Sequence, residues 1–363
     1  MDLTVTRGPV RQSLSCVAAM VALIFVCAAA VPARMQTASR QSPAPGPAPP
    51  APPNVAASSP VMAIGNFSHI VADLDRSIRF YREGLGLEPA GPVRPFEANV
   101  AIQRAANVMG AQTRYVVLKV PGSTLGVELI EYSGIDRKPV SPRFQDPGAG
   151  NLMVSVRDLD TALVQLKKAG ARVLTIGGAP AVIGGKVRVV FLQDPDGFVI
   201  ELNQPGSLPE PTPDTAGNVF GAAFEAAIED TDKTVAFYRN LLGFEAIVGP
   251  SFNGDKLMAD TAGTPGAQFR QSRLQVPGTS VSMSLIEFKG INRKSLSPRL
   301  QDPGMTMLQL MVRDLDSLLA TLKTGGAAIV SVGGEAVTMG PLRLAVVRDP
   351  NNLFLELIER PQP

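Results

Sequence analysis

The sequence predicts an α+β protein made of four copies of one strand–helix–strand–strand–strand unit, and three observations carry that prediction. The segment GIDRKPVSPRFQDPG from Gly134 returns as GINRKSLSPRLQDPG from Gly290, an offset of 156 residues. An apolar run ending in Asp-x-Asp occurs at Asp73, Asp158, Asp230 and Asp314, each time followed by apolar residues at helical spacing, as with Leu159, Leu163 and Leu166. Short β-rich runs follow the helices, among them RYVVLKV, TLGVELIEY, KVRVVFLQD and FVIELNQ, parted by turns such as Asp194-Pro195-Asp196-Gly197.

The chain has 363 residues, enough for two domains, and 45% of them are hydrophobic, which excludes wholesale disorder. A formal net charge of +2 provides no basic field for a nucleic-acid partner, and 5% aromatics with no Trp argue against stacking platforms. The single histidine, His69, excludes a His-rich zinc site or a two-His facial triad.

Taken in chain order, the first segment is a targeting signal. Arg7 and Arg11 precede an uncharged run from Leu14 to Val31, and small residues follow it, so residues 1–33 read as a secretory signal peptide. Cleavage after Ala30 or Ala33 removes both cysteines, Cys16 and Cys27, and leaves a mature chain without thiols in a periplasmic or extracellular setting. The same run, left uncleaved, is an N-terminal membrane anchor at the lower edge of spanning length. Cys27 as a lipid-attachment site is disfavoured by the bulk of Val26. Residues 34–61 are rich in Pro and Ala and form an extended tether.

The repeat divides the rest into residues 62–205 and 217–360, joined by a Pro-rich link at 206–216. FYREGLGLE from Phe80 pairs with FYRNLLGFE from Phe237, and DPDGFVIEL from Asp194 with DPNNLFLEL from Asp349. Within each domain the first Asp of each Asp-x-Asp pair is placed as a helix N-cap, with the second near the positive end of the dipole. Gly84 and Gly86, Gly170, Gly243, and Gly325 with Gly326 supply the helix stops.

This doubled and redoubled unit resembles the vicinal oxygen chelate superfamily, which includes glyoxalase I, bleomycin-resistance proteins and extradiol dioxygenases. The matching text is VADLDRSIRFYREGLGLE and VVFLQDPDGFVIEL in the first domain, and IEDTDKTVAFYRNLLGFE and LAVVRDPNNLFLEL in the second. The resemblance implies two tandem glyoxalase-like domains, each a curled mixed sheet forming a cup, with divalent-metal ligands projecting inward from four strands. It places the first ligand seven residues before the capping Asp, at Asn66 and Asn151 in the first domain. The other two positions fall at Glu128 and Glu201. The implied ligand-binding constellation is Asn66, Glu128, Asn151 and Glu201, with Glu128 or Glu201 as the catalytic base. If these four hold a metal it is a hard cation such as Mg²⁺ or Ca²⁺; zinc, nickel and iron are not expected without nitrogen ligands. In the second domain the same positions are Ala223, Ser284, Met307 and Glu356, so the site is expected in the first.

His69 lies three residues from Asn66 on a strand, so it faces the opposite way, sharing a face with Phe67 and Val71 that packs on the helix. The duplicated loop carries Arg137, Arg143, Arg293 and Arg299. As a set these suit an anionic ligand, yet their occurrence in both domains favours a structural crossing. Arg114 and Arg270, at strand starts, admit both readings. The functional expectation is an exported protein that binds a small molecule in the first-domain cup. The alternatives are an atypical lyase or isomerase with a Glu base, and a structural or partner-binding protein. Ring cleavage of the dioxygenase type is not expected, because its His-His-Glu set cannot be assembled from one histidine.

Overall fold

The computed structural model describes residues 59–360, apart from 277–278 and 280–281; the segment expected to be a signal peptide, both cysteines and nearly all of the expected Pro/Ala tether lie outside the described residues. The first unit comprises β1 (Val61–Ile70), α1 (Leu74–Leu85), α2 (Val100–Ala106), β2 (Gln112–Leu118) and β3 (Val127–Ser133). The second comprises β4 (Gly150–Val156), α3 (Leu159–Lys168), β5 (Arg172–Val173), β6 (Ala181–Ile183), β7 (Val187–Gln193) and β8 (Val199–Gln204). The third holds β9 (Val219–Ile228), α4 (Thr231–Leu242), β10 (Glu245–Ile247), α5 (Lys256–Thr261), β11 (Gln268–Gln275) and β12 (Ser282–Lys289). The fourth holds β13 (Thr306–Val312), α6 (Leu315–Thr324), β14 (Ala328–Ile329), β15 (Val337–Met339), β16 (Leu342–Arg348) and β17 (Phe354–Glu359). No described helix is long and apolar enough to cross a membrane.

The four capping aspartates act as the sequence predicts. Asp73, Asp158, Asp230 and Asp314 are extended, and each accepts from the amide three residues on, satisfying a donor that the first helical turn leaves without a partner. Gly86 and Gly243 then stop α1 and α4 in the left-handed conformation, at φ 68° and 74°.

The strands do not form one sheet per domain. One mixed sheet, here sheet A, runs β14-β16-β17-β13-β1-β3-β2, with β15 paired to β16; it joins the first unit to the fourth. The other, sheet B, runs β10-β11-β12-β9-β4-β8-β7-β5, with β6 paired to β7; it joins the second unit to the third. The joints are antiparallel pairs between repeats, β1 with β13 and β4 with β9. Each face expected from a single domain is therefore shared by both.

The two sheets pack back to back. Phe67 of β1 stacks on Phe198, 4.9 Å between centroids, and lies 5.2 Å from Phe224 of β9. These rings belong to one apolar core that also takes in α1, α3, α4 and α6. The inner faces point outward from this core. Short helices lie over them, α2 beside β15 and β16 on sheet A, and α5 beside β6 and β7 on sheet B.

The duplicated loops form a clasp. Lys138 N–H donates to Asp302 at 2.8 Å, and Lys294 N–H donates to Asp146 at 2.8 Å, so each loop is tied to the other's aspartate. Arg143 holds Asp146 and Arg299 holds Asp302 through paired nitrogens. Arg137 and Arg293 donate to the carbonyls of Val71 and Ile228. Arg114 bridges Glu131 and Asp75, and Arg270 meets Gly249 O and Asp232. All six guanidinium groups thus have structural partners.

Candidate functional site

The constellation expected from the resemblance is divided by the sheet order. Asn66 and Glu128 lie on sheet A, Asn151 and Glu201 on sheet B, so the four cannot hold a single ion or ligand. Each pair meets residues of the other repeat instead.

On sheet A, Glu128 meets Ser68, Gln309 and Glu356. Ser68 Oγ donates to Glu128 Oε2 at 2.6 Å, and Gln309 Nε2 donates to Glu128 at 3.0 Å and to Glu356 at 2.9 Å. A shift in the β1 register between Ile64 and Phe67 frees the Asn66 N–H, which donates to Gln309 Oε1 at 3.0 Å. Gly126 keeps the place beside Asn66 open: a Cβ there would lie 2.7 Å from Asn66 Oδ1. Burial raises the Glu128 carboxyl, and burial with the neighbouring Glu128 charge pushes Glu356 up to about 8. Beside this network is a recess of about 350 Å³ with Asn66, Thr124, Gln309 and Arg360 among its walls.

On sheet B the carboxyls are more deeply buried. Glu201 is 7% exposed, Glu225 3% and Asn151 not at all. Burial raises Glu201 well above the ordinary carboxyl range, and the charge of Glu225 and a hydrogen bond to it add to the effect, so Glu201 holds the proton. Glu225 is itself pushed up to about 7 by burial, opposed by hydrogen bonds from Glu201 and Ser284. Gln271 Nε2 donates to Ser284 Oγ at 3.5 Å, closing a short relay toward Glu225. Three atoms of this group have no partner: Glu225 Oε2 and both amide atoms of Asn151, which is registered beside Glu225 on β4. Glu201 and Glu225 line an apolar cavity of about 60 Å³, walled by Phe144, Phe191, Ile286 and Phe288 and roofed by Met258, Thr261 and Ala262 at α5. The roof is pinned: Thr175 Oγ1 donates to Thr261 O at 2.6 Å.

Glu225 and Gln309 are the residues that sequence reasoning missed. Counting seven back from Asp230 and Asp314 lands on Ala223 and Met307, and the polar residue lies two further on in both strands, on the same face. The second repeat thus supplies a carboxyl to each sheet, Glu225 to B and Glu356 to A. The alternation rule applied forward from Ala223 would have found Glu225.

His69 faces away from both sites, as the strand argument predicts. It is fully buried against Phe198, and its Nε2 lies 2.9 Å from Asp194 Oδ2, which also accepts from Tyr81. Asp194 raises the His69 pKa against the opposing effect of burial. His69, Asp194 and Asp196 form the one group of three or more His, Cys, Asp or Glu side chains close enough for a metal among the described residues. Arg76, Ser77 and backbone amides already occupy its oxygens. The divalent metal implied by the resemblance is not suited to the inner faces: its four expected ligands are split between two sheets, neither face presents an imidazole, and Gln309 turns its amide hydrogens toward the sheet A carboxyls.

A 2-epi-5-epi-valiolone epimerase from an Actinomyces species is 29% identical over 153 residues, covering 41% of this chain and 82% of that protein. A lactoylglutathione lyase of Arabidopsis thaliana is 26% identical over 187 residues, 50% of this chain and 56% of that one, so the match spans about half the plant enzyme. The fold is also that of glyoxalase I from Zea mays, at 17% identity and a TM-score of 0.53, with 82% of this chain and 92% of that one covered. The sequence model of one family matches residues 63–202 and 222–357, both tandem domains. The chain belongs to the Glyoxalase/Bleomycin resistance protein/Dioxygenase superfamily.

Proposed function

We propose that the protein binds a small molecule in the sheet B cavity, its apolar body against Phe144, Phe191 and Phe288 and an oxygen-bearing group on Asn151 and Glu225. The observation that carries this reading is unspent polar capacity at the cavity: Glu225 Oε2 in its lining has no partner, and neither has the fully buried Asn151 amide registered beside it on β4. A buried amide without partners costs about 1–3 kcal/mol, and a ligand oxygen and hydroxyl would repay that cost. The setting proposed is an exported one, on the strength of the charged arm and apolar run at the N-terminus; the intact mass of exported protein tests it, and retention of Met1 would overturn it.

The carboxyl pair favours a second reading, proton transfer beside a carbonyl, as a lyase, isomerase or epimerase requires. Glu225, held at about 7, is matched to general base work at neutral pH, and Glu201 is the acid beside it. No step in this reading passes through a metal. A thermal-shift screen of small oxygenated molecules tests both readings, run on the wild type, Glu225→Gln and Glu356→Gln. Hits should vanish in Glu225→Gln and persist in Glu356→Gln; the reverse pattern would move the site to sheet A.

A further inference from the structure

His69 ties the two sheets together inside the core. It projects from β1 of sheet A, and its Nε2 lies 2.9 Å from Asp194 Oδ2, in the turn between β7 and β8 of sheet B. Its Nδ1 lies 3.3 Å from Met305 O, the carbonyl that also accepts the Ile70 amide where β1 meets β13. Asp194 accepts the Asp196 and Phe198 amides on its other oxygen and the Tyr81 hydroxyl beside His69. Both ring nitrogens therefore face oxygens that accept, and the ring satisfies both only as an imidazolium. The surrounding charges balance in that state: Arg76 pairs with Asp196, which leaves the imidazolium to pair with Asp194. Glu131, on the same face of β3, is held by Arg114 and the Leu74 amide. The residues registered with His69, Leu129 and Thr306, and the ring of Phe198 beside it carry no charge.

The second repeat lacks this group. Ala226 takes the place of His69 and Asn351 that of Asp196, while Asp349 and Tyr238 match Asp194 and Tyr81. Asp349 Oδ2 there receives the Asn351 amide and the Tyr238 hydroxyl. The backbone at the two joints is otherwise alike: Ile70 N–H donates to Met305 O at 2.8 Å, and Ala227 N–H to Ala149 O at 2.9 Å. One joint is thus held through a group that can lose a proton, and the other is not. A neutral ring would keep its hydrogen on Nε2 for Asp194 and turn a bare Nδ1 toward Met305 O, in a fully buried place. We propose that His69 is a proton-operated latch: as an imidazolium it holds Asp194 and Met305 together, and on losing its Nδ1 proton it lets go of Met305 and loosens the β1–β13 joint, while the β4–β9 joint stays closed. Burial lowers the His69 pKa, but Asp194, with Asp196 and the Met305 carbonyl, outweighs it and sets the folded value above 6.5. The latch therefore contributes in full below 6.5 and is lost as the pH rises through the folded value.

The test is nitrogen NMR of the ring across pH, where a single histidine gives a single pair of signals. Both nitrogens should carry protons at pH 6.5, and Nδ1 should lose its proton at a midpoint above that value. A ring with one proton at pH 6.5 would overturn the inference. Asp194→Asn should lower the midpoint by about 1–3 pH units, and Asp196→Asn by less; an unmoved midpoint in Asp194→Asn would overturn the pairing, and Asp196→Asn takes its place if that variant misfolds. Amide hydrogen exchange then reads the joint itself. As the pH passes the midpoint, Ile70 should lose protection relative to Ala227, its counterpart in the other joint, and in His69→Gln the ratio of the two should stay constant with pH. A constant ratio in the wild type would overturn the latch and leave His69 a buried ion pair with no switching role. Should every variant misfold, the wild-type protonation state and exchange ratio decide alone.

Discussion

Sheets A and B descend from the same repeated unit and use their inner faces in opposite ways. On sheet A, Gln309 stands between Glu128 and Glu356 and spends both its amide hydrogens on them, while its oxygen takes the Asn66 amide. On sheet B no amide bridges the carboxyls: Glu201 holds the proton beside Glu225, and Asn151 is left without partners. The first face is satisfied by its own side chains, and the second is satisfied only in part. Unspent hydrogen-bonding capacity at the floor of an apolar cavity is a better marker of a binding site than the number of polar groups, since sheet A has at least as many.

The largest effect that would sharpen this contrast is on sheet A. Gln309→Leu strips two donors from a carboxyl pair, and urea denaturation should show a loss of about 3 kcal/mol; an unchanged midpoint would mean that the bridge is dispensable. Next comes the pH response of sheet B. Glu225 titrates at about 7 in the folded protein against an ordinary 4.5, so between those values the folded state holds a proton that the unfolded chain has released. Its contribution is therefore full below about pH 4.5 and is lost as the pH rises toward 7, by at most ~1.4 kcal/mol per unit. Glu201 and Glu356 are raised across the same window, so Glu225→Gln should remove only the Glu225 share of the slope, as melting curves across pH 4.5–8 would record; a slope equal to wild type would break the assignment. Asn151→Leu should work in the other direction from Gln309→Leu, raising stability by about 1–2 kcal/mol because an unpartnered buried amide is removed, while abolishing binding of the screen hits. A destabilised Asn151→Leu would show that the amide is already satisfied. The smallest effect is a difference expected to be near zero. Asp146 and Asp302 make matching bonds in the clasp, so Asp146→Ala and Asp302→Ala should each cost about 1–3 kcal/mol and agree closely with one another.

The units, their helix caps and the structural loop were legible because each is a local pattern. Asp73 and Asp158 cap where Asp-x-Asp places them, and His69 faces away from Asn66 because strand alternation is strict. The partnership of the units was not legible. It is decided by β1 pairing with β13 and β4 with β9, contacts between strands far apart in sequence, and the duplicated sequence is equally compatible with closure inside each domain. That one ambiguity separated Asn66 and Glu128 from Asn151 and Glu201. Glu225 was hidden for a different reason: the third unit carries Ser284 on its last strand and has its glutamate on the first strand, two residues past the counted position.

The most direct measurement is the location of a bound ligand. A crystal of the protein with a brominated analogue of a screen hit would mark the occupied face by the anomalous signal of bromine. The account predicts the peak on sheet B, among Phe144, Phe191 and Phe288 above Glu225. A peak in the sheet A recess beside Asn66 and Gln309, with the sheet B cavity empty, would contradict it.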